Sequence, residues 1–256
     1  MEHGLHIASH ARGVLQRSRR PSPSTASPAT IDRFARRVDS PTPSVRRHRR
    51  PHITFISSDE PCVMAATHVV AVCGSLRERS YTRLALERSL DGVREAGGTG
   101  EVLDLREYDL PVLDADEDAQ GDSEAVVERV GDADALVLGT PVYHGSYSGV
   151  LKNALDHCGF DEFDGKTVGL LAVAGGGFPV TALEHLRSVC RALNAWVLPH
   201  QVALPHVSSQ FCDGALTNEG LERRVHVLGQ RVVEYASIEP DPATFEAGEN
   251  VGAGGR

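Results

Sequence analysis

Hydroxyl and guanidinium side chains are concentrated in one short stretch of the chain, GSLRERSYT at residues 74–82. A valine-rich apolar run precedes this stretch, and a helical pattern follows it. A turn between a strand and a helix gathers unpaired backbone N–H groups, and the positive end of the helix dipole attracts anions there. Three hydroxyl side chains are candidate donors, namely Ser75, Ser80 and Thr82. Together with the charge of Arg77, they suit a single terminal phosphate.

Two well-known phosphate motifs are absent from this stretch. It does not read G-x-G-x-x-G, so it lacks the glycines that let the backbone approach a dinucleotide pyrophosphate closely. It does not read G-x-x-x-x-G-K-[ST] either, as a nucleoside triphosphate site would. A simpler interpretation also stays open: Ser80 caps the following helix and the arginines are merely solvated.

A second polar loop, TPVYHGSYSGVLKNALD, follows an apolar run further along the chain. Pro141 stiffens this loop and Gly145 allows a sharp turn, while Tyr143 and His144 offer flat surfaces with polar tips. A flat aromatic ligand could lie along such a backbone. The GSYSG segment is not a serine-hydrolase elbow, because its third residue is Tyr147 rather than serine. His144 taken alone would more often be a loop-packing histidine.

A third loop, AVAGGGFP, contains three consecutive glycines, Gly175, Gly176 and Gly177. Glycines remove side chains where another molecule approaches the main chain. The alternative is a flexible turn between a strand and a helix, for which one glycine would be enough.

The elements that must position these loops alternate regularly. Strands are predicted at residues 68–74, 101–105, 135–141, 166–177 and 196–204. Helices are predicted at residues 80–97, 123–133, 148–159, 179–194 and 218–236. This alternation predicts an α/β fold with a parallel sheet and helices on both faces, in either the dinucleotide-binding or the flavodoxin-like order. In a sheet of either order, ligands bind outside the carboxyl ends of the strands, where the three loops begin.

The three loops together resemble the NADPH-dependent FMN reductase family of the flavodoxin-like superfamily. The resemblance is carried by GSLRERSYT, by TPVYHGSYSGVLKNALD, and by FDGKTVGLLAVAGGG followed by LRSVCRALNAWVLP, within residues 67–205. It implies a doubly wound, five-stranded parallel sheet in the order 2-1-3-4-5. It also implies FMN as the cofactor and NADPH or NADH as the electron donor.

The resemblance also assigns residues to parts of the cofactor. The residues that would hold the FMN phosphate are Ser75, Arg77, Ser80 and Thr82. Those that would border the isoalloxazine ring are Pro141, Val142, Tyr143, His144 and Gly145, with Gly175, Gly176 and Gly177 at its pyrimidine side. Family members often have Glu where Val142 stands, and Asn where His144 and Thr82 stand.

The activity that the resemblance implies is transfer of a hydride from NAD(P)H to FMN and of two electrons onward to a small-molecule acceptor, such as a flavin or a quinone. The cofactor carries this chemistry, so no side chain is named as catalytic. The family usually forms homodimers or homotetramers, with the flavin near a subunit boundary. The alternative is a flavodoxin-type electron carrier without its own NAD(P)H site, although the first loop lacks the Thr/Ser-x-Thr-Gly-x-Thr run expected of one.

Charge is distributed unevenly along the chain. Residues 1–63 hold eleven arginines and five acids, or +6, and since the whole chain carries −9, residues 64–256 carry −15. So acidic a surface repels nucleic acid and anionic membranes, and no partner of either kind is expected. No run of about 18 apolar residues predicts a membrane span. The five cysteines form no C-x-x-C pair, which indicates no metal site, no disulfide framework and a reducing cytoplasm.

The composition also divides the chain. Residues 1–63 are rich in proline, serine, threonine and arginine without an apolar period, so we expect this basic extension to be disordered. Three interpretations of this extension compete. It could be a basic arm that binds nucleic acid or an acidic partner, or a targeting peptide. The interpretation that we favour is that it lies upstream of a translation start at Met64. Residues 64–239 are predicted to form the FMN-binding domain, and residues 240–256 a flexible tail.

Overall fold

The computed structural model describes residues 65–117 and 120–236. The predictions for residues 1–63 and for the tail at 240–256 lie outside the described residues.

Five parallel strands form the main sheet. They are β1 (His68–Cys73), β2 (Thr99–Asp104), β3 (Ala135–Pro141), β4 (Thr167–Val173) and β5 (Trp196–Leu204). Their order across the sheet is β2-β1-β3-β4-β5, which confirms the predicted 2-1-3-4-5 order. Every residue of the two central strands β3 and β4 is buried, as expected where helices cover both faces of a parallel sheet.

Within the described residues, six α-helices accompany the sheet. They are α1 (Tyr81–Glu95), α2 (Ser123–Asp132), α3 (Gly149–His157), α4 (Phe160–Phe163), α5 (Val180–Ala192) and α6 (Glu219–Glu234). The smaller elements are two 3-10 turns, Leu105–Glu107 and Val207–Ser209, and a hairpin of β6 (Phe211–Cys212) and β7 (Ala215–Leu216).

The core lies in two layers, one on each face of the sheet. Val70 belongs to the layer that contains Leu151 of α3, whereas its neighbour Val69 belongs to the layer that contains Leu86 of α1 and Leu228 of α6. The continuous apolar run of β1 is therefore buried on both sides, because successive residues of a strand face opposite ways.

The two helices of the second layer approach each other unusually closely. A Cβ atom added to Gly92 of α1 would lie 2.0 Å from the carbonyl oxygen of His226, and one added to Gly229 of α6 would lie 1.8 Å from that of Ser89. Neither position has room for a side chain, so the glycines set the distance between these helices.

Strand β5 is irregular and lies at the edge of the sheet. Val197 pairs with Val168, but the next pair joins Gln201 to Leu170, so residues 198–200, which include Pro199, interrupt the register. The carbonyl groups of Leu198 and Gln201 accept hydrogen bonds from arginine side chains. The donors are Nη2 of Arg187 at 3.2 Å and Nη2 of Arg224 at 2.8 Å.

Three details differ from the sequence predictions. β4 ends at Val173 rather than at residue 177, because the glycines that follow leave the sheet. The sequence predicts Ser123 as the cap of the helix at residues 123–133, but Ser123 is the first residue of α2; Asp122 takes the cap position, and its carboxylate accepts from the N–H of Asp109 at 2.7 Å. The elements α4, β6 and β7 have two to four residues each, too short to produce a hydrophobic period.

Candidate functional site

Hydrogen bonds at the carboxyl ends of β1 and β3 join the first loop to the second. The N–H of Gly74 donates to the carbonyl of Gly139 at 2.8 Å, and Oγ of Ser148 donates to the carbonyl of Gly74 at 2.7 Å. A Cβ atom at Gly74 would lie 2.7 Å from Cβ of Leu151. Gly74 is therefore a packing glycine, and its lack of a side chain lets β1, β3 and α3 meet.

The hydroxyl residues of the first loop lie at its base. Ser75, Ser80 and Thr82 are at most 3% exposed, beneath an exposed segment at residues 76–79. Oγ of Ser80 accepts from the N–H of Arg83 at 3.1 Å and so caps α1, as the simpler interpretation expected. This cap uses the oxygen of Ser80 as an acceptor, and a serine hydroxyl also has one hydrogen that it can donate.

The charges around this helix terminus favour an anion. The first turn of α1 contains no acidic residue, and the loop before it holds two arginines against one acid, Glu78. Arg77 and Arg79 are exposed, and neither forms an ion pair within the part of the chain that the structure describes. The N–H of Arg77 donates to Oγ of Ser75 in a long contact of 3.4 Å.

The second loop contains a tight turn at residues 143–146. Tyr143 and Ser146 exchange two backbone hydrogen bonds, of 3.0 and 3.1 Å. The two residues between them have positive φ, 51° at His144 and 80° at Gly145, as a type I′ turn requires. Pro141 is buried in β3, and the N–H of Val142 donates to the carbonyl of Val173 at 2.9 Å, which joins this loop to β4. The side chain of Tyr143 remains half exposed.

A histidine that the sequence analysis did not single out supports this turn. Nδ1 of His185, on α5, lies 2.9 Å from Oγ of Ser146. His185 is one of many polar residues on an amphipathic helix, and nothing in its neighbours in sequence distinguishes it. Only the folded arrangement brings it to the turn, 39 residues away along the chain.

The three glycines of the third loop face open space. A Cβ atom at Gly175 or Gly176 would meet no atom within 4 Å, and one at Gly177 would lie 3.5 Å from Nε2 of His206. His206 also donates its N–H to the carbonyl of Gly176 at 3.0 Å. Internal packing therefore does not require glycine at 175 or 176, in contrast to Gly74. A flat ligand could therefore approach the backbone at these two residues without meeting a side chain.

The residues present fit an FMN molecule in three respects. Hydroxyl donors, arginines and an unneutralised helix terminus lie together at the first loop, and the second loop presents an aromatic side chain. The third loop leaves its backbone accessible. All three loops lie at one edge of the sheet, because β1, β3 and β4 are parallel neighbours. Two hollows of about 490 and 640 Å³ flank Trp196 at the opposite end of β5, away from these loops.

Metal and thiol chemistry find no support in the described residues. No group of three or more His, Cys, Asp or Glu side chains there could hold a metal ion. Burial raises the pKa of Cys73 to about 11 and those of Cys158 and Cys190 to about 12, so these thiols stay protonated at neutral pH.

No helix in the described ranges is long and apolar enough to cross a membrane.

Solved structures share this fold. The flavoenzyme NAD(P)H:acceptor oxidoreductase FerB from Paracoccus denitrificans aligns with a TM-score of 0.56 at 22% identity, over 67% of this chain and 97% of that one. An apo NADH:FMN oxidoreductase aligns with a TM-score of 0.57 at 23% identity, over 70% and 94%. At such identities the likeness establishes the fold.

Sequence comparison is more specific. The FMN-dependent NADPH-azoreductase of Staphylococcus saprophyticus is 33% identical over 179 residues, which are 66% of this chain and 95% of that enzyme. Its counterpart in Staphylococcus aureus is 32% identical over 180 residues, with the same coverage. The family model for NADPH-dependent FMN reductases matches residues 67–209, a range that contains all three loops. The chain therefore belongs to the NADPH-dependent FMN reductase family, and it is an NAD(P)H-dependent flavin oxidoreductase with FMN as its cofactor.

Proposed function

We propose that FMN binds along the carboxyl edge of the sheet, with its phosphate at the first loop and its ring against the second and third. The residues proposed to hold the phosphate are Ser75, Arg77, Ser80 and Thr82. Those proposed to border the ring are Pro141, Val142, Tyr143, His144, Gly145, Gly175, Gly176 and Gly177. The observation that carries this proposal is the parallel order of β1, β3 and β4, which brings the three loops to one edge of the sheet. The backbone at Gly175 and Gly176 has no packed atoms against it there.

The phosphate assignment rests on charge as well as on shape. Residues 64–256 carry a net charge of −15, so a phosphate dianion needs strong local attraction to bind. Arg77 and the terminus of α1 supply it, and no acid lies in the helix's first turn to oppose it. A guanidinium can bind a phosphate through two parallel hydrogen bonds, which gives it a defined orientation as well as attraction.

The acceptor is a small molecule, and we propose that it is an azo compound. Support comes from the azoreductases, which are 32–33% identical to this chain over the aligned residues and align over nearly their own full length. Bound FMN would supply the hydride chemistry, and the residues of the second and third loops would position the donor and the acceptor against it. Half-exposed Tyr143 offers an aromatic surface to a planar substrate.

A titration without oxygen tests this function. Purified protein loaded with FMN should lose the flavin's visible absorption on addition of NADPH, and an azo dye should then restore it while losing its own colour. NADH in place of NADPH gives the donor preference. A flavodoxin-type carrier, the alternative, would keep its flavin oxidised with either nucleotide unless a separate reductase were added.

The assembly and the location of the enzyme are also proposals. We expect a homodimer or homotetramer, as the family resemblance implies, and a cytoplasmic location. Four free cysteines in the described residues are compatible with a reducing compartment. Light scattering of the purified protein would give the number of subunits.

A further inference from the structure

The turn at residues 143–146 depends on support from outside itself. Type I′ turns favour Asn-Gly or Gly-Gly, because both central residues must have positive φ. Here the first of them is His144, with φ of 51°. Histidine tolerates this conformation better than most residues, but the backbone still prefers other regions. The local sequence alone therefore favours this turn only weakly.

Helix α5 supplies such support through one side chain. His185 Nδ1 and Ser146 Oγ are 2.9 Å apart, which is a hydrogen bond of ordinary length. The helix itself is held firmly, since its residues Leu183 and Leu186 are fully buried in the core.

We propose that His185 is a positioning residue, which fixes the turn at residues 143–146 against α5 through Ser146. Tyr143 and His144 are then held where, under the proposed function on which this inference rests, they border the flavin ring. The bonds of Ser148 cannot do the same work, because they attach the loop beyond the turn to Gly74 and Thr140.

The chemistry of the contact indicates which substitutions keep it. Either the Ser146 hydroxyl donates to Nδ1, or an N–H at Nδ1 donates to the hydroxyl oxygen, so one bond forms with either tautomer. Asparagine has an amide group close to the position of Nδ1 and can make a similar bond, whereas alanine cannot.

Affinities for FMN and riboflavin, measured with the full chain, test the proposal. His185→Ala should weaken both ligands by the same factor, about threefold to tenfold, because the ring is common to both. Ser146→Ala should have the same effect, and the double variant should be no worse than either single one. His185→Asn should recover most of the affinity. Ser188→Ala is the matched control, since its exposed hydroxyl bonds only to Glu184 of its own helix.

A second measurement does not require flavin. The N–H groups of Tyr143 and Ser146 are bonded across the turn, so hydrogen exchange at both should accelerate in apo His185→Ala and not in apo Ser188→Ala. Unchanged exchange together with wild-type affinities in His185→Ala would overturn the proposal, as would additive losses in the double variant. Failure of the wild-type chain to bind any flavin would overturn the proposed function instead, and the exchange rates would still decide the role of His185.

Discussion

Arg77 and Arg79 lie two residues apart in the same exposed loop and differ in what precedes them. Arg77 follows the turn over Ser75, to whose Oγ its N–H donates, whereas Arg79 lies just before the cap residue Ser80. Neither forms an ion pair with a carboxylate among the described residues, so the two can be compared as exposed charges in one loop.

Arg77→Ala should lower the affinity for FMN about tenfold to a hundredfold. A charge-assisted hydrogen bond is worth about 1.5–3 kcal/mol, and about 1.4 kcal/mol corresponds to one decade of affinity. Affinity for riboflavin should barely change, since riboflavin has no phosphate. Quenching of flavin fluorescence measures both.

Arg79→Ala serves as the control for this experiment. A solvated arginine contributes under about 1 kcal/mol, so FMN affinity should change less than in the Arg77 variant. A larger loss from Arg79, or equal losses of FMN and riboflavin in the Arg77 variant, would show that the loop is anchored differently.

The cysteines should differ sharply in reactivity at pH 8. A thiol with a raised pKa keeps its proton over the neutral range. Cys73, Cys158 and Cys190 are buried, and the pKa of each is raised. Cys212 is exposed. In a Cys62→Ser variant, a thiol reagent should therefore modify only Cys212 in the native state, and all four in denaturant. Mass spectrometry counts the modified sites. Rapid native modification of Cys73 would contradict the burial of the end of β1.

At the scale of elements, the close crossing of α1 and α6 determines much of the stability of one layer. Gly229→Ala should lower the free energy of unfolding by about 1–3 kcal/mol or more, because the new Cβ atom would lie 1.8 Å from a backbone oxygen that a rotamer change cannot move. Urea unfolding of the apo protein measures this as a lower midpoint with an unchanged slope.

Gly131→Ala in α2 is the corresponding control. There a Cβ atom would make an ordinary contact of 3.8 Å with Cγ of Glu162, so the helix should gain up to about 1 kcal/mol from the better helix former. If Gly229→Ala proved equally harmless, the two helices would have to be further apart than described.

The elements that could be predicted from sequence are those whose pattern is long enough to be periodic. The valine run of β1 indicated a strand, and the helical spacing of apolar residues in α3 indicated a helix. The alternation of strands and helices indicated the parallel sheet. The turn at residues 143–146 was visible only as a glycine. Its geometry comes from two cross-turn hydrogen bonds and a contact with α5, and such contacts between distant residues leave no local signal.

At the scale of the whole molecule, the question is which part of the chain the fold needs. The buried apolar residues of the described part lie between Val69 and Val232, and partly buried Val233 and Ala236 pack against one of the two layers. Composition changes at Met64, where a basic segment meets an acidic one. The domain boundary is therefore a prediction that deletion can test.

Removal of residues 1–63 should leave the melting temperature and the FMN affinity unchanged, because the β1 strand starts at His68 and the first loop follows it. Differential scanning calorimetry and flavin titration of the shortened chain measure the two. A melting temperature lower by more than a few degrees, or a loss of flavin, would show that the extension belongs to the folded unit.

The arginines on β5 have a consequence for how copies of this enzyme can associate. An edge strand recruits another strand through its free carbonyl and N–H groups. Here Arg187 and Arg224 occupy the carbonyls of Leu198 and Gln201, and Pro199 has no N–H to offer. The middle of β5 therefore offers a strand of a second copy fewer backbone partners with which to extend the sheet. An association of two copies on this side would depend correspondingly more on side chains than on a continuous backbone ladder.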